Sequence, residues 1–446
     1  MALAAILPGA IACAQPDPTV AYQGAAPGKR PTQHPRPLAW NLGPQVLPLF
    51  NALEGGERGE LAIIGDSVSF IANQYVWHLK GLFEADYGSG GEGFLSPSGM
   101  NGNCAGSAYV RCGITMSNSI GAGVSTNTAE RNPRSYGLDV DGNYGQLGFV
   151  DGIHGFLVSS VFGDSVTVHY VKEQGAGSFK ILVNNVDIVI LDASTDGEPE
   201  HATYTVQLNP ATPDTTSSLK LRHVDGGQVF IDGLEMSSNQ PGFVYHRLAR
   251  NGVGPDDFLL GLGEPTRTFL SELSPHLMIL MLDWSSPTWF GVFVEQTNEL
   301  LDFYQSAMPD TKFILMTHHA FKVGIETEAD WYYQIARERN IGYINLYDLY
   351  SGLSELQDLG FMQDDVHMSA AGGAWFAQYV YGLLTHAAGV ARTADHNRDD
   401  HLDVSDLLAY VQDFAGRDPK ADLNQDGTVD AADLRSYLDA FSQAMR

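Results

Sequence analysis

The sequence predicts an α/β fold with a parallel sheet and helices on both faces, an inserted β-sandwich, and a small α-helical domain at the carboxyl end. Three observations predict it. Apolar runs of strand length alternate with helical patterns on both sides of the region 140–238, as they do in parallel sheets covered by helices. Within that region the runs are short, alternate in polarity and are separated by turn residues, which is typical of β-sandwiches. The last part of the chain repeats one acidic loop together with the apolar spacing that follows it.

These patterns divide the 446 residues into six segments. In chain order they are a signal peptide (1–14), a proline-rich linker (15–55), the first part of the α/β domain (56–139), the inserted β-sandwich (140–238), the second part of the α/β domain (239–388) and the C-terminal domain (391–446). A chain of this length can bury several hydrophobic cores.

Periodicity sets the expected element bounds in the α/β segments. A strand over 61–64 leads into a helix that runs through Phe83, because Ile71, Tyr75 and Leu79 precede Phe83 at helical spacing. The later strands and helices alternate, with strands over 277–282, 313–317 and 343–346 and helices over 291–307 and 328–339. The glycine-rich stretch 87–94 lacks a phosphate-binding lysine and is predicted to be a turn.

The N-terminus predicts export. An apolar stretch ends in Ala12-Cys13-Ala14, which matches a small-residue cleavage site of a signal peptide. A lipoprotein site at Cys13 is the alternative, and Ala10 in front of Ile11-Ala12-Cys13 makes it a poorer match. No other run approaches the ~20 apolar residues of a membrane span. We therefore expect a secreted protein without a transmembrane segment.

Charge and cysteine content narrow the possible partners and bonds. The chain has 53 acidic against 25 basic residues, which argues against nucleic acid and anionic membrane surfaces as partners, because both need basic patches. Cys104 and Cys112 remain after signal cleavage. In an exported chain such a pair predicts a disulfide, and two free thiols are the alternative.

A candidate nucleophile follows the first predicted strand. The run Leu61–Ile64 ends in Gly65-Asp66-Ser67, and the helical pattern begins there. A serine at a strand-to-helix turn is exposed at the carboxyl edge of a sheet, although Ser67 could also be a simple N-cap. A second Gly-Asp-Ser, at Gly163–Ser165, is followed by an alternating strand pattern. We therefore take Ser67 as functional and Ser165 as a turn residue.

A candidate base and its partner lie about 300 residues later. Asp364 and His367 are three residues apart at the entrance to the last helix of the α/β domain, so their side chains share one side of the loop. A serine hydroxyl needs a base, and the base needs a partner that fixes its tautomer. Asp365 is the competing carboxylate, but neighbouring residues point apart. Ser67, His367 and Asp364 thus form a candidate catalytic triad.

These two motifs resemble those of SGNH (GDSL-type) hydrolases, which implies an SGNH-hydrolase-type sheet and esterase activity without a catalytic cofactor. The resemblance also implies an oxyanion hole built from the backbone N–H groups of Ser67 and Ala249. The family's asparagine, usually placed after a central strand, is missing here. Ser285 falls nearest to its position, and Asn251 is another candidate donor.

The position of the insert, between nucleophile and oxyanion loop, resembles that of bacterial peptidoglycan O-acetylesterases. The segment Pro241–Gly252, which returns the chain to the α/β domain, contributes to the match. The resemblance implies an acylated polysaccharide as substrate. The insert could contact the glycan, or it could be a structural brace beside the site.

The tail contains two copies of one loop, 27 residues apart. Oxygen ligands at loop positions 1, 3, 5, 9 and 12, with a backbone carbonyl at 7, suit calcium. The copies supply Asp395, Asn397, Asp399, His401, Asp403 and Asp406, and then Asp422, Asn424, Asp426, Thr428, Asp430 and Asp433, with His401 and Thr428 at the backbone position. The repeat predicts two calcium sites in a small α-helical domain. It resembles a type I-like dockerin, a pairing of half EF-hands, which implies a cohesin-like protein partner.

Two function classes remain open from the sequence. The first is a secreted serine esterase that removes acyl groups, most simply acetyl, from a polysaccharide. The second is a calcium-dependent binding or assembly protein with a degenerate hydrolase domain. The Ser, His and Asp motifs favour the first, and the missing asparagine favours the second. His318 and His319 lack a third metal ligand in the sequence and are predicted to be loop residues.

Overall fold

The structure, a computed structural model, describes residues 36–71, 74–95, 126–128, 143–147, 155–161, 163–208, 217–249, 253–282, 290–321, 325–399 and 401–444. The predicted signal peptide and the predicted disulfide between Cys104 and Cys112 lie outside these residues. The α/β class is confirmed.

Sixteen strands are described. They are β1 (Ala39–Trp40), β2 (Arg58–Gly65), β3 (Gly91–Leu95), β4 (Thr126–Thr128), β5 (Asn143–Leu147), β6 (Gly155–Val161), β7 (Ser165–Lys172), β8 (Ser178–Val183), β9 (Val186–Asp192), β10 (Glu200–Gln207), β11 (Ser217–Asp225), β12 (Val229–Ser237), β13 (Gly242–Ala249), β14 (Leu277–Met281), β15 (Lys312–Met316) and β16 (Gly342–Ile344).

The α-helices of the described part number eleven. They are α1 (Gly43–Glu54), α2 (Ser67–Phe70), α3 (Tyr75–Tyr87), α4 (Pro255–Leu259), α5 (Glu264–Leu273), α6 (Phe290–Ala307), α7 (Ile325–Arg339), α8 (Leu353–Asp358), α9 (Ala370–Ala394), α10 (Val404–Gly416) and α11 (Ala431–Ala444).

The α/β region is built on five parallel strands in the order β16, β15, β14, β2 and β13, with the short β1 antiparallel at the outer edge. Because the strands are parallel, their carboxyl ends meet at one edge of the sheet. Gly65, Ala249, Met281 and Met316 end four of these strands there.

Helices cover both faces of this sheet. Alternate residues of β2 enter different cores, since successive side chains of a strand point to opposite faces. Leu61 and Ile63 pack with α1, α3 and α9, whereas Ala62 and Ile64 pack with α5, α6 and α7. The continuous apolar run of β2 therefore reflects burial on both sides.

The parallel sheet continues without a break into antiparallel strands. β3 pairs in parallel with β13 at Arg247 and antiparallel with β12 at Leu234, in both cases through Leu95. The prediction that the glycine-rich stretch 87–94 is a turn is therefore wrong from Gly91 onward. Gly93 has a φ of 68°, and a Cβ there would lie 2.3 Å from the carbonyl oxygen of Tyr245, so this strand needs glycine to approach its neighbour.

A second, four-stranded sheet packs against the antiparallel part of the first. Its strand order is β6, β11, β8 and β9. The two sheets share one apolar core, to which the smaller sheet contributes Phe179, Ile181, Leu219 and Leu221 and the larger sheet Val166, Val168, Leu234 and Met236. Two antiparallel sheets with one core between them form a sandwich, and one layer of this sandwich belongs to the central sheet.

The C-terminal region is a pair of helices around a small core. The rings of Tyr410 in α10 and Tyr437 in α11 stack with centroids 3.8 Å apart. The hydroxyl of Tyr437 donates to the carbonyl of Ala394, at the end of α9, at 2.9 Å. Ala444 lies against Gly43, where an added Cβ would be 3.3 Å from the Ala444 carbonyl oxygen. The helix pair thus rests on the α/β region.

Two predicted bounds are wrong. The linker predicted over 15–55 overlaps α1, a helix with Pro44 in its first turn, where proline is tolerated, and with Phe50 buried in the core. The helix predicted to run from Ser67 through Phe83 is interrupted. Ile71 adopts an extended conformation after α2, and α3 begins only at Tyr75.

In the described part of the chain, none of the helices combines the length and the apolar character that a membrane crossing requires.

Candidate active site

The strand-to-helix turn after β2 presents Ser67. Asp66 is the N-cap of α2, and its Oδ1 accepts a hydrogen bond from the backbone N–H of Val68 at 2.9 Å. Ser67 is therefore the first helical residue and not the cap, so its hydroxyl is not needed to cap the helix. Gly65 lets the turn close, because a Cβ there would lie 2.4 Å from Oγ of Ser69.

The loop before α9 holds Asp364 and His367. The Asp364 carboxylate accepts from the backbone N–H groups of Val366 at 2.8 Å and His367 at 2.7 Å. The same carboxylate lies 2.9 Å from Nδ1 of His367. The carboxylate thus fixes both the loop and the ring. The competing Asp365 instead accepts from the side chain of Gln357 at 3.1 Å.

The structure brings the three triad candidates together. Nε2 of His367 lies 3.0 Å from Oγ of Ser67. With the proton on Nδ1 facing Asp364, Nε2 is an acceptor for the serine hydroxyl, which is the arrangement that activates a serine nucleophile. The backbone N–H of His367 is the main cause that lowers the pKa of Asp364 to about 2, so the carboxylate stays ionised near neutral pH.

The second Gly-Asp-Ser has a different environment. Ser165 begins β7, where it pairs with Gln207 and Ser237, and no helix follows it. Asp164 accepts from the backbone N–H of Asn239 at 2.7 Å. This motif joins two strands and has no histidine placed like His367 among the contacts of its described neighbours.

The oxyanion candidates are only partly described. Ala249 is the buried last residue of β13 and pairs with Gly65 of β2, so it lies at the same sheet edge as Ser67. Asn251 and Ser285 lie outside the described residues. The composition of the oxyanion hole stays a prediction.

Two buried histidines, His318 and His319, follow β15 close to this site. Nε2 of His318 lies 3.1 Å from Oδ2 of Asp66, and both groups are buried. His319 is fully buried between Phe321 and Phe376, and burial, together with the neighbouring His318, lowers its pKa to about 3. Both lie in the loop after β15, as predicted, but their burial and the contact of His318 with the nucleophile turn were not predicted.

The repeated acidic loops fold into similar turns. In the first loop, Asp395, Asp399 and Asp406 each offer one carboxylate oxygen, and these oxygens lie within 4.8 Å of one another. Asp406 accepts from the backbone N–H groups of Asp403 and Asn397, and the backbone N–H of His401 donates to Asp399. Clustered carboxylate oxygens on a short loop fit a hard cation such as calcium.

The second loop repeats this internal bonding. Asp433, which is fully buried, accepts from the backbone N–H groups of Leu423, Asn424 and Asp430, and these hydrogen bonds lower its pKa. Other candidate ligands also accept backbone or side-chain donors within the loop, namely Asp422, Asn424, Asp426 and Asp430, with Thr428 donating to Asp426.

Comparison with known proteins supports the fold. No protein-family profile and no curated protein sequence matches the chain. A solved structure of a peptidoglycan O-acetylesterase aligns with a TM-score of 0.61 at 14% identity, covering 80% of this chain and 100% of that chain. The fold is of the SGNH-hydrolase type.

Two further solved structures align less well. A family two carbohydrate esterase from Clostridium thermocellum, in complex with cellohexaose, aligns with a TM-score of 0.27 at 12% identity over 55% of this chain and 95% of that chain. A salicylyl-acyltransferase from a tetracycline biosynthetic pathway aligns with a TM-score of 0.30 at 11% identity over 67% of this chain and 98% of that chain. The fold assignment rests on the first alignment alone.

Proposed function

We propose that the protein is a serine esterase that removes acyl groups, most simply acetyl, from a polysaccharide. One observation carries the proposal: Nε2 of His367 lies 3.0 Å from Oγ of Ser67, while Nδ1 lies 2.9 Å from Asp364. This is the geometry of a Ser-His-Asp triad, placed on a fold that the esterase above shares.

The chemistry follows from these contacts. His367 takes the proton of Ser67 as its oxygen attacks the ester carbonyl, and then gives that proton to the leaving sugar oxygen. The acyl group remains on Ser67. Water then attacks the acyl carbon while His367 again accepts a proton, and the acid is released as Ser67 regains its hydrogen. Asp364 keeps the ring oriented and stabilises its charged form.

The charge that develops on the carbonyl oxygen needs donors. We assign this role to the backbone N–H groups of Ser67 and Ala249, with Ser285 or Asn251 as a third donor. A missing donor in such a site costs about a hundredfold or more in rate. If neither Ser285 nor Asn251 supplies the third hydrogen bond, we expect activity below that of esterases with the asparagine by about this factor.

The name of the aligned esterase suggests the substrate class. The solved structure that aligns over 80% of this chain is that of a peptidoglycan O-acetylesterase. We therefore propose an O-acetylated polysaccharide and expect acetate release.

Hydrolysis of p-nitrophenyl acetate by the full chain tests the activity. Ser67→Ala should abolish it, whereas Ser165→Ala, the matched change in the second Gly-Asp-Ser, should leave it intact. Equal rates in wild type and Ser67→Ala would contradict the esterase assignment and favour the degenerate-hydrolase alternative. Acetate release from a panel of acetylated polysaccharides, including peptidoglycan and xylan, then identifies the substrate.

We further propose that residues 391–446 bind two calcium ions and dock to a cohesin-like protein. The clustered oxygens of Asp395, Asp399 and Asp406 fit the ion. On α10 the side chains of Val404, Leu408 and Val411 are exposed, at 65%, 63% and 46%. Their spacing forms one apolar stripe on the helix, and such a stripe suits a protein partner.

Loss of binding to a cohesin domain in Leu408→Asp, with calcium affinity unchanged, tests the docking surface. Retained binding would place the partner elsewhere.

We also propose that the protein is secreted after cleavage behind Ala14, with lipid attachment at Cys13 as the less favoured route. The mass of the N-terminal peptide of exported protein distinguishes the two.

A further inference from the structure

A glutamine couples the nucleophile side of the site to the histidine loop. Gln74 lies directly before α3 and is completely buried. Its Nε2 donates to the carbonyl oxygen of Met368 at 2.8 Å, and its Oε1 accepts from the backbone N–H of Met368 at 2.7 Å. Both polar ends of one amide thus bind the main chain of the residue that follows His367.

The arrangement requires the break in the helix after α2. Gln74 has an extended conformation, with ψ of −165°, and a helix running through Ser67 and Phe83 would direct this residue differently. Ile71 and Gln74 are both extended, and α3 begins at Tyr75. The interruption therefore places the amide where the two backbone groups of Met368 can reach it.

The histidine loop also has restraints within itself. The backbone N–H of Gln363 donates to the carbonyl oxygen of His367 at 2.9 Å, and Asp364 holds the ring from the solvent side, where its own side chain is 49% exposed. The Asp364 carboxylate orients the ring and the turn before it, but it makes no contact with Met368 in the described part of the chain. A buried amide with two satisfied hydrogen bonds constrains the loop firmly.

We propose that Gln74 is a positioning residue that holds His367 at hydrogen-bonding distance from Ser67. The proposal rests on the serine-esterase function proposed above. Gln74 contacts neither the reacting atoms nor the His367 ring in the described contacts, and it acts through the backbone of Met368. A shift of about 1 Å in a catalytic group can lower the rate about a hundredfold, so loss of this clamp should affect turnover more than substrate binding.

The test uses the full chain with Gln74→Ala, Gln74→Glu and a matched control at Gln45. Gln45 is also buried, and its amide likewise bonds two backbone groups, the carbonyl of Asn340 at 3.3 Å and the N–H of Phe313 at 3.4 Å. Gln45 lies on α1, away from the triad. A purely structural role would make Gln74→Ala and Gln45→Ala behave alike.

The first measurement does not depend on activity. The ring signals of His367, assigned in a histidine-labelled NMR spectrum through their loss in His367→Ala, should shift in Gln74→Ala and remain in place in Gln45→Ala. Unchanged His367 signals in Gln74→Ala would overturn the proposal, whether or not the chain hydrolyses esters. Absence of Ser67-dependent hydrolysis would instead overturn the esterase function and leave the NMR result to decide on Gln74.

The second measurement is kinetic. Gln74→Ala should lower kcat about a hundredfold and change KM by less than about twofold, while Gln45→Ala should leave both near wild type. Gln74→Glu keeps the size of the side chain, and it tests the same role if the alanine variant does not fold. Its carboxylate cannot donate to Met368, but the protonated acid can, so its rate relative to wild type should rise as the pH falls. A constant ratio across pH, or a loss confined to KM, would overturn the proposal.

Discussion

Nε2 of His318 lies 3.1 Å from the Asp66 carboxylate, the group that caps the helix beginning at Ser67. Asp66 is 7% exposed. A buried carboxylate needs its hydrogen-bond partners, because an unsatisfied charge in a dry environment is costly. The histidine at the end of β15 therefore supports the turn that presents the nucleophile.

Replacing His318 should disturb this turn. His318→Leu removes a partner of Asp66, and leaving a buried polar group unsatisfied costs roughly 1–3 kcal/mol. We expect a lower melting temperature and a lower kcat. The control is His223→Leu, which removes a part-buried histidine in the four-stranded sheet whose ring contacts the carbonyl of Gly227. Equal rates in His318→Leu and wild type would show that the turn holds without this contact.

Substitutions of Asp364 and of Asp365 should have clearly different effects on activity. Asp364→Asn loses the charged acceptor that orients His367, and in well-studied triads this change lowers kcat by up to about 10⁴-fold. Asp365→Asn, its direct neighbour, should be close to wild type. Because hydrogen bonding lowers the pKa of Asp364 to about 2, protonation of this carboxylate should contribute nothing to the pH–rate profile of the wild type above about pH 4. A large loss in Asp365→Asn instead would reassign the partner of His367.

Buried histidines should make the fold sensitive to mild acid. Burial lowers the pKa of His201, which faces His169, Asp232 and Glu272, to about 4, and that of His319 to about 3. In the unfolded chain both titrate near their ordinary value of about 6.5. The unfolded state therefore binds more protons as the pH falls below about 6.5, and stability is lost in that direction.

The expected size is on the order of 2 kcal/mol per histidine at about pH 5. Urea midpoints measured from about pH 7 down to about pH 5 check this prediction, and His201→Phe should flatten the slope. A midpoint that does not change over this interval would contradict it. Glu235, whose folded pKa is about 2, adds a further loss only at lower pH.

Removal of calcium should loosen the C-terminal helix pair. Within the described part, the core of this region has three fully buried residues, Tyr410 and Tyr437 on the two helices and Ala421 in the turn between them, so ligand binding has to supply much of its stability. At a free calcium concentration a hundred times Kd, one site contributes about 2.7 kcal/mol. Calorimetry of the full chain should show a transition that chelator moves to lower temperature.

Loop variants sharpen this test. Asp406→Asn and Asp433→Asn should reduce the effect of calcium, whereas Asp439→Asn on the exposed side of α11 should not. A calorimetric trace that is the same with calcium and with chelator would refute the calcium assignment.

The sequence predicted most of what local patterns can encode. The parallel strands, the Gly65-Asp66-Ser67 turn, the choice of Asp364 over Asp365 and the repeat of the acidic loops all depend on residues within a few positions of one another. Such features follow from periodicity and motif spacing. The α/β class followed from the alternation of strand and helix patterns.

Features that depend on distant neighbours were missed. The burial of His318 and His319 could not be predicted because their partners, Asp66 and Phe376, lie far away in the chain. Gly93 suggested a turn, although the close approach of Tyr245 requires glycine within a strand. The predicted linker extended to residue 55 and thus covered a helix whose first turn accommodates Pro44. A histidine pair directly after a strand of the same sheet was the one signal that could have pointed to the site.

The helix α9 sets a fixed distance between His367 and the first acidic loop. It begins three residues after His367, ends directly before Asp395 and has 25 residues, which corresponds to roughly 37 Å of α-helix. An enzyme anchored through its last two helices would hold its catalytic edge at the opposite end of α9 from the anchor. A large polysaccharide could then approach Ser67 without competing for space with the anchoring partner. The enzyme could remain anchored while it removes one acyl group after another.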